Sequence, residues 1–380
     1  MPNYSGKWKL PTVMQAEGAG TWPAPPQSPG LYVAGNNNMG QLGLGDTTSR
    51  SSFVQVGALT NWAQIAPGYT LTGAVKTDGT LWTWGYNAGG ALGLGDAVNR
   101  SSPVQVGALT NWAKVGASGV AMGAIKTDGT IWSWGANYYG GLGLNDTTYR
   151  SSPVQIGALT TWAEIAVGER YMGAIKTDGT LWSWGWNPAG QLGVSNTTNY
   201  SSPVQVGALT TWSKVAASRR QMMAIKTDGT LWGWGENANG QLGDGSTTNR
   251  SSPVQVGALT TWSSVSSGAY QTLAIKTDST LWGYGRNEEG QMALGETTTA
   301  AYSSPVQVST SSGWSSVSTN RYSCAGIKTD GTFWVWGRNN YGQLGQGNTT
   351  AYSSPVQVGA SPGWGSLGPM GMSYTIQIIA

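Results

Sequence analysis

A unit of about 50 residues returns along most of this chain, and that repetition limits what the chain can fold into. Lys-Thr-Asp begins at Lys76, Lys126, Lys176, Lys226, Lys276 and Lys328, at spacings of 50, 50, 50, 50 and 52 residues. A second marker, Trp-x-x-[Val/Ile/Leu], begins at Trp62, Trp112, Trp162, Trp212, Trp262, Trp314 and Trp364, one copy more than the first. The ten residues from Ser101 recur letter for letter from Ser201 and from Ser251. Such a period builds stacked units that bury their apolar faces against one another.

Within one unit the β-forming runs are short. Residues 103–106 read as a first strand, entered by Pro103 where a lost N–H is tolerable. Residues 107–110 turn the chain. Residues 112–116 are the second strand and 122–127 the third, with a variable loop between them. Asp128-Gly129 is expected to supply the two positive φ angles of a tight hairpin. Residues 130–134 are the fourth strand. Evenly spaced short strands predict an all-β, seven-bladed β-propeller of four-stranded blades. Alternation puts Trp132 and Trp134 on one face of the fourth strand. The small residue between them (Thr83, Ser133, Ser183, Gly233, Gly283) is expected to face the neighbouring blade.

The ends predict how the ring closes. The six Lys-Thr-Asp hairpins leave one blade short of a strand, and residues 31–35 (Leu-Tyr-Val-Ala-Gly) match the missing fourth strand. They are expected to pair with residues 373–379, which removes the open edges. The domains are then 1–29, a Pro-rich arm without repeat markers, and 30–380, the propeller.

Composition narrows the chemistry. With His 0, there is no histidine acid, base or metal ligand. With Cys 1, there is no intrachain disulfide and no cysteine metal site. The net charge of +3, with charged residues at 10%, argues against specific nucleic-acid binding. No run of 18 apolar residues predicts membrane insertion, and the first ten residues lack the apolar core of a secretory signal. The repeated Asp78, Asp128, Asp178, Asp228, Asp278 and Asp330 read as turn residues. A carboxylate pair such as Glu236 and Asp244 is not singled out by spacing. The recurring Asn37, Asn87, Asn137, Asn187, Asn237, Asn287 and Asn339 read as backbone caps, and Cys324 as a small buried residue. No catalytic residue, metal or cofactor is expected, and the chain reads as a non-enzyme.

The units differ in two places. One is the loop between the second and third strands, and the other is the residue just after the fourth. Strand direction puts both at the same end of the disc. Tyr86, Arg170, Tyr171, Trp186, Arg219, Arg220, Tyr270, Arg286, Arg321, Tyr322 and Arg338 form the expected ligand-binding face, because tyrosine, tryptophan and arginine anchor interfaces.

The run from Trp232 to Gly243, W-x-W-G-x-N-x-x-G-Q-L-G, resembles the regulator of chromosome condensation repeat. The resemblance covers about residues 30–380 and implies a seven-bladed propeller. Members include guanine-nucleotide exchange factors for small GTPases, chromatin binders and many bacterial and viral proteins. Exchange factors of the family usually carry a histidine in the third strand, where this chain has Leu71, Ala121, Tyr171, Gln221, Gln271 and Ser323. A short arm before a nearly perfect repeat also looks like phage or viral structural members. The expected function is therefore a phage or viral particle appendage located on the virion. Its arm would join other particle proteins, and its variable face would recognise a host-surface glycan or protein. The alternative is a cellular regulator of the exchange-factor or chromatin-binding kind.

Overall fold

The computed structural model describes residues 30–308, 312–359, 362–368 and 375–379, the last five by backbone alone. The arm, residues 1–29, lies outside the described residues.

The hairpin turns explain the strand spacing. Thr80 donates from both its N–H and its Oγ1 to the Asp78 carboxylate, at 2.9 and 2.6 Å, and the Trp82 indole N–H donates to Thr80 Oγ1 at 2.8 Å. Only Gly79 has a positive φ, +76°, and its N–H reaches the Lys76 carbonyl. The expectation of two positive φ angles is thus corrected: the loop is a type I turn followed by one left-handed glycine. It sets Leu71–Lys76 against Leu81–Gly85, with Leu71 opposite Gly85 and Val75 opposite Leu81.

Each four-stranded sheet starts at the Trp strand. In the first, Trp62–Pro67 is innermost, followed by Leu71–Lys76, Leu81–Gly85 and, outermost, Arg100–Gln105. The strand with Pro103 therefore closes the sheet before it rather than opening the next, which shifts the expected phase of the unit by one strand. It also begins at Arg100, and the pairing skips residues 101–103, so Pro103 sits at a bulge on an outer edge.

Six sheets are drawn in this way from consecutive strands; the remaining sheet is composite. It joins Leu31–Gly35 and Arg50–Gln55 to Ser366–Leu367 and Thr375–Ile379. Leu31 pairs with Ile379 and Gly35 with Thr375, as expected from the missing strand. So six blades are self-contained, where a ring of seven was expected, and the remaining sheet is assembled from distant segments.

A recurrent bond ties each loop after a third strand to the outer strand of the next sheet. The Gly45 N–H donates to the Ser101 carbonyl, Gly95 to Ser151, Asn145 to Ser201, and so on. Gly347 donates to Ser51 at 2.8 Å, which completes the circuit. The same loop receives the next sheet's buried indole. A Cβ on Gly43 (φ +74°) would meet the Trp84 indole at 2.8 Å. The residue between the two Trp positions does not face a neighbour as expected. Thr83 Oγ1 and Ser133 Oγ donate at 2.7 Å to the Leu92 and Leu142 carbonyls of their own sheet's loop.

The composite sheet breaks the pattern in a compensated way. Ala34 stands where Trp84 stands elsewhere, and Phe53 stands where the other outer strands have proline. A Cβ on Gly345 would meet the Phe53 ring at 2.2 Å, so the outer-strand phenylalanine fills the socket left by the absent indole. The chain has only 2 Phe, and both lie here: Phe53 and Phe333 pack edge-on at 5.5 Å beside Trp364 and Tyr32.

The seven repeated asparagines are buried. Asn87 Oδ1 accepts the Leu92 N–H at 2.8 Å, while Nδ2 donates to the Asp96 carboxylate at 2.9 Å. They cap the loops from within.

Candidate functional site

The two ends of the ring are built differently. At one end the Trp112 N–H donates to the Gly79 carbonyl, which joins each Lys-Thr-Asp-Gly turn to the start of the next inner strand. Lys76 Nζ lies 3.8 Å from the Trp82 ring centroid and 5.1 Å from that of Trp62. The arrangement recurs at Lys126, Lys176, Lys226, Lys276 and Lys328. Burial between the indoles pulls the Lys76 ammonium below its ordinary pKa, and the Asp78 carboxylate pulls it back up. Nearly identical in the six self-contained blades, with most of its lysines buried between indoles, this end is architecture.

At the other end, the Tyr86 N–H donates to the Thr70 carbonyl, Trp186 to Arg170, Glu236 to Arg220, Arg286 to Tyr270 and Arg338 to Tyr322. The two variable places are thus bonded to each other in each blade. They gather into two clusters.

The first is centred on Trp186. Tyr139 stacks on it at 5.6 Å with an interplanar angle of 20°. The Arg220 guanidinium carbon lies 4.5 Å from its ring centroid and that of Arg170 5.4 Å. Arg170 also lies 5.3 Å from the Tyr138 ring, which meets Tyr149 edge-on at 5.2 Å. Tyr139 and Arg170 both have left-handed backbones, φ 58° and 65°, a strain that persists only where surroundings hold it. The second cluster is the tilted pair Tyr270 and Tyr322, 5.9 Å apart. Arg219, Arg286, Arg321 and Arg338 lie over one or both rings at 5.1 to 5.9 Å. Arg219 Nη1 donates to Tyr270 Oη at 3.0 Å and faces Glu169 at 3.7 Å. Arg286 pairs with Glu288, and Arg338 with Glu289 at 3.8 Å.

Ten of the eleven expected face residues lie at this end. Tyr171 does not. It is 1% exposed, belongs to the core, and donates its hydroxyl to the Gln221 carbonyl at 2.6 Å. Strand alternation decides this: position 170 is the last loop residue and 171 the first inward strand residue. The residues at the family histidine position are all buried. Two of them, Gln221 and Gln271, donate side-chain N–H groups to the next sheet's loop, at Gly268 and Asn320. Sequence reading missed Tyr138, Tyr139 and Tyr149, which are 44%, 45% and 43% exposed. The signal was present, since Asn137-Tyr138-Tyr139-Gly140 is the unit with two tyrosines where the others have at most one large hydrophobic residue, Met39 or Tyr341.

Charge divides between the ends. The arginine end carries Arg170, Arg219, Arg220, Arg286, Arg321 and Arg338 against Glu169, Glu236, Glu288 and Glu289, so 6 − 4 = +2. The lysine end carries six lysines against six aspartates, 6 − 6 = 0. Asp46, Asp96, Asp146 and Asp244 pair with the remaining arginines, Arg50, Arg100, Arg150 and Arg250, on the outer loops. Asp244 is therefore committed to Arg250. Cys324 is buried, and burial pushes its thiol pKa up.

Two cavities open here. A channel of about 330 Å³ runs between the inner strands, with Ser264, Ser266, Ser316 and Ser318 on one side. A hollow of about 470 Å³ lies beside its mouth. Met39, Tyr69, Tyr86 and Val120 line that hollow together with Arg170, Arg219 and Arg321.

Residues 30–371 match the model of the RCC1-like domain. Prp20p from Saccharomyces cerevisiae, described with its binding to Gsp1p and histones, superposes with a TM-score of 0.82 at 16% identity, over 96% of this chain and 94% of that one. The same yeast protein bound to Kap60 gives 0.83 at 16%, over 100% and 95%. Human WBSCR16 gives 0.80 at 18%, over 93% and 99%. At these identities the likeness is one of fold. The X-linked retinitis pigmentosa GTPase regulators of Mus musculus and Canis lupus familiaris are 43% and 42% identical over 58 and 57 residues, 14% of this chain. The chain spans about 6% of the length of those curated relatives.

Proposed function

Since this chain belongs to the RCC1-like domain family, we propose that it is a regulator that acts by binding a protein partner through its arginine end, without chemistry of its own. One observation carries this. Six arginines, seven exposed or half-buried tyrosines (Tyr69, Tyr86, Tyr138, Tyr139, Tyr149, Tyr270 and Tyr322) and Trp186 are gathered at one end, while the other end is nearly the same in each self-contained unit. Counting the composite sheet as a blade gives a ring of seven, whose end is broad enough to dock a folded protein. Rigid aromatic planes under guanidinium groups are what interface anchors are made of. The relatives point the same way, as Prp20p is described with protein partners and the curated relatives are named as GTPase regulators. A particle-appendage role leaned on the N-terminal arm, which lies outside the described residues, and the comparisons favour the cellular-regulator reading instead.

The test is direct titration of immobilised protein with a purified small GTPase and, separately, with histone octamers. Binding to either, weakened about tenfold by Trp186→Ala or Arg338→Gln and unchanged by Arg100→Gln on the outer loops, is the expected result. Binding insensitive to both arginine-end variants would overturn the reading. Release of labelled nucleotide, followed in the same mixtures, is expected to stay at its unassisted rate.

A further inference from the structure

The arginines of this end are not equivalent. Arg219, Arg286 and Arg338 each face a glutamate. Among the described residues, no carboxylate or carbonyl accepts a hydrogen bond from the Arg170 or Arg220 guanidinium. The Nε of Arg220 is buried without a partner. Both lie over the same indole, Trp186, at 5.4 and 4.5 Å. A guanidinium lying over an aromatic ring is oriented by the ring but keeps its edge N–H groups, which match an oxyanion two at a time.

Arg170 also lines the hollow of about 470 Å³, whose nearer wall is Met39, Tyr69, Tyr86 and Val120. That hollow has room for one large apolar side chain. Arg170 therefore stands at the lip of the hollow, whose lining also holds Glu169, Arg219 and Arg321, and Arg220 stands beside it over the shared Trp186 ring. The backbone strain at this end falls on the same residues, Arg170 and Tyr139, which both touch Trp186. The equivalents of Arg170 in the other units, Thr70, Val120, Arg220, Tyr270 and Tyr322, have no positive φ, so the strain at Arg170 is local to this junction. The left-handed backbone of Tyr139 recurs at Gly89, φ 69°, where glycine carries it without strain.

We propose that this junction is the site for an acidic linear segment of the partner. A large apolar side chain of the segment enters the hollow, and neighbouring carboxylates are held by Arg170 and Arg220. The inference rests on the reading of the arginine end as the docking face and names the chemistry that face selects. Charge complementarity argues for this occupant: the end carries +2 by the count above, and of the two guanidiniums over Trp186, Arg170 lines the hollow and Arg220 lies next to it. Glu236, whose Oε2 is buried without a partner, follows the next strand of the same sheet, and its N–H donates to the Arg220 carbonyl. A basic segment would meet two bare guanidiniums.

The experiment uses the full chain as bait for a displayed library of random twelve-residue peptides, read by sequencing. Enriched peptides should carry two or more carboxylates within three positions of an aromatic or large aliphatic residue. Fluorescence anisotropy on the best of them should show about a tenfold weakening with Arg170→Gln or Arg220→Gln, as for a charged anchor. Arg170→Lys, which keeps the charge but loses the forked geometry, should recover only part of the affinity. Melting temperatures of all variants guard against misfolding, and Arg100→Gln is the neutral control. Enrichment of neutral or basic peptides, no enrichment at all, or acidic peptides that bind Arg170→Gln and Arg220→Gln as well as wild type each overturn the inference. Peptides lost with Trp186→Ala and Arg338→Gln but retained by both Arg170→Gln and Arg220→Gln would sink this site while leaving the docking face standing. Peptides indifferent to all four would sink both.

Discussion

At one end of the ring six lysines lie between paired tryptophans; at the other, six arginines lie among tyrosines and Trp186. Both ends set cations over aromatic rings, yet the consequences differ. The lysine is a compact cation on a long stem, buried as it crosses two indoles, with its aspartate two residues on. Repeated without change, it holds a hairpin against an inner strand. The arginine is a planar fork, half-buried and different in each unit, with donors left over. The lesson is that a cation–aromatic contact does not by itself mark a binding site. What marks it is donors that remain unused, and variation among otherwise identical units.

Substitutions can break this contrast. The largest effect is expected from Trp112→Ala, which empties a core position 3% exposed and should cost about 3–5 kcal/mol in urea unfolding. Trp186→Ala, chemically the same change, should cost under about 1 kcal/mol, since its neighbours are surface groups. Equal costs would erase the distinction between the ends. Next comes Lys126→Ala, expected to lose about 2 kcal/mol through the stem and its desolvated contact with Trp132.

Acid should loosen the hairpin turns of the lysine end before it reaches Trp186. Hydrogen bonds from Thr80, first from its side chain and then from its backbone, hold the Asp78 carboxyl below its ordinary value, and each of the five other turn aspartates is held in the same way. A carboxyl whose folded pKa is depressed stabilises fully above its unfolded value, about 3.9, and loses that contribution as pH falls through the folded value. Melting temperature should therefore drop below about pH 4. Hydrogen exchange there should rise at the Asp-Gly turns before it rises at Trp186. With His 0, the melting temperature should be flat between about pH 5.5 and 8. Early exchange at the arginine end would contradict the division.

The smallest effects separate strain with a purpose from strain without one. Ser279 has φ 62° in a turn where the five other Lys-Thr-Asp units have glycine, so Ser279→Gly should raise stability by up to about 1 kcal/mol and leave partner binding alone. Arg170→Gly relieves the same kind of strain but gives up its ring contacts. Its stability should stay within about 0.5 kcal/mol of wild type while affinity falls. A stability gain at Arg170 as large as at Ser279, with affinity intact, would mean the arginine end is drift.

Much of the fold was legible because repetition multiplies weak signals. One Lys-Thr-Asp says little; six at spacings of 50 to 52 set the hairpins, and the missing hairpin placed residues 31–35. What stayed hidden was which sheet claims a strand that could pair on either side. Residues 100–105 lie 15 residues beyond Gly85 but only 7 before Trp112, so proximity in sequence favours the wrong partner, and only the pairing with Leu81–Gly85 settles the matter in space. In the site, the variable loops were found, but their inward limit was not. Tyr171 and Arg170 are adjacent, and one φ of 65° separates core from surface. The tyrosines at 138 and 139 were missed because they follow a repeated asparagine and look like loop filler.

The composite sheet has a consequence for birth on the ribosome. The strand Leu31–Gly35 leaves the exit tunnel some 340 residues before its partner Thr375–Ile379 exists, since 375 − 35 = 340. At about 5–20 residues per second, that is a wait of roughly 17–70 s with one edge of a fully apolar strand unpaired. Only its other neighbour, Arg50–Gln55, arrives promptly. Phe53, on that neighbour, must likewise wait for Gly345 and Phe333 to form its socket. A nascent chain of this kind carries a sticky edge through most of its synthesis. Factors that shield such edges, or slow translation near the end, would govern yield more than any substitution in the six self-contained blades.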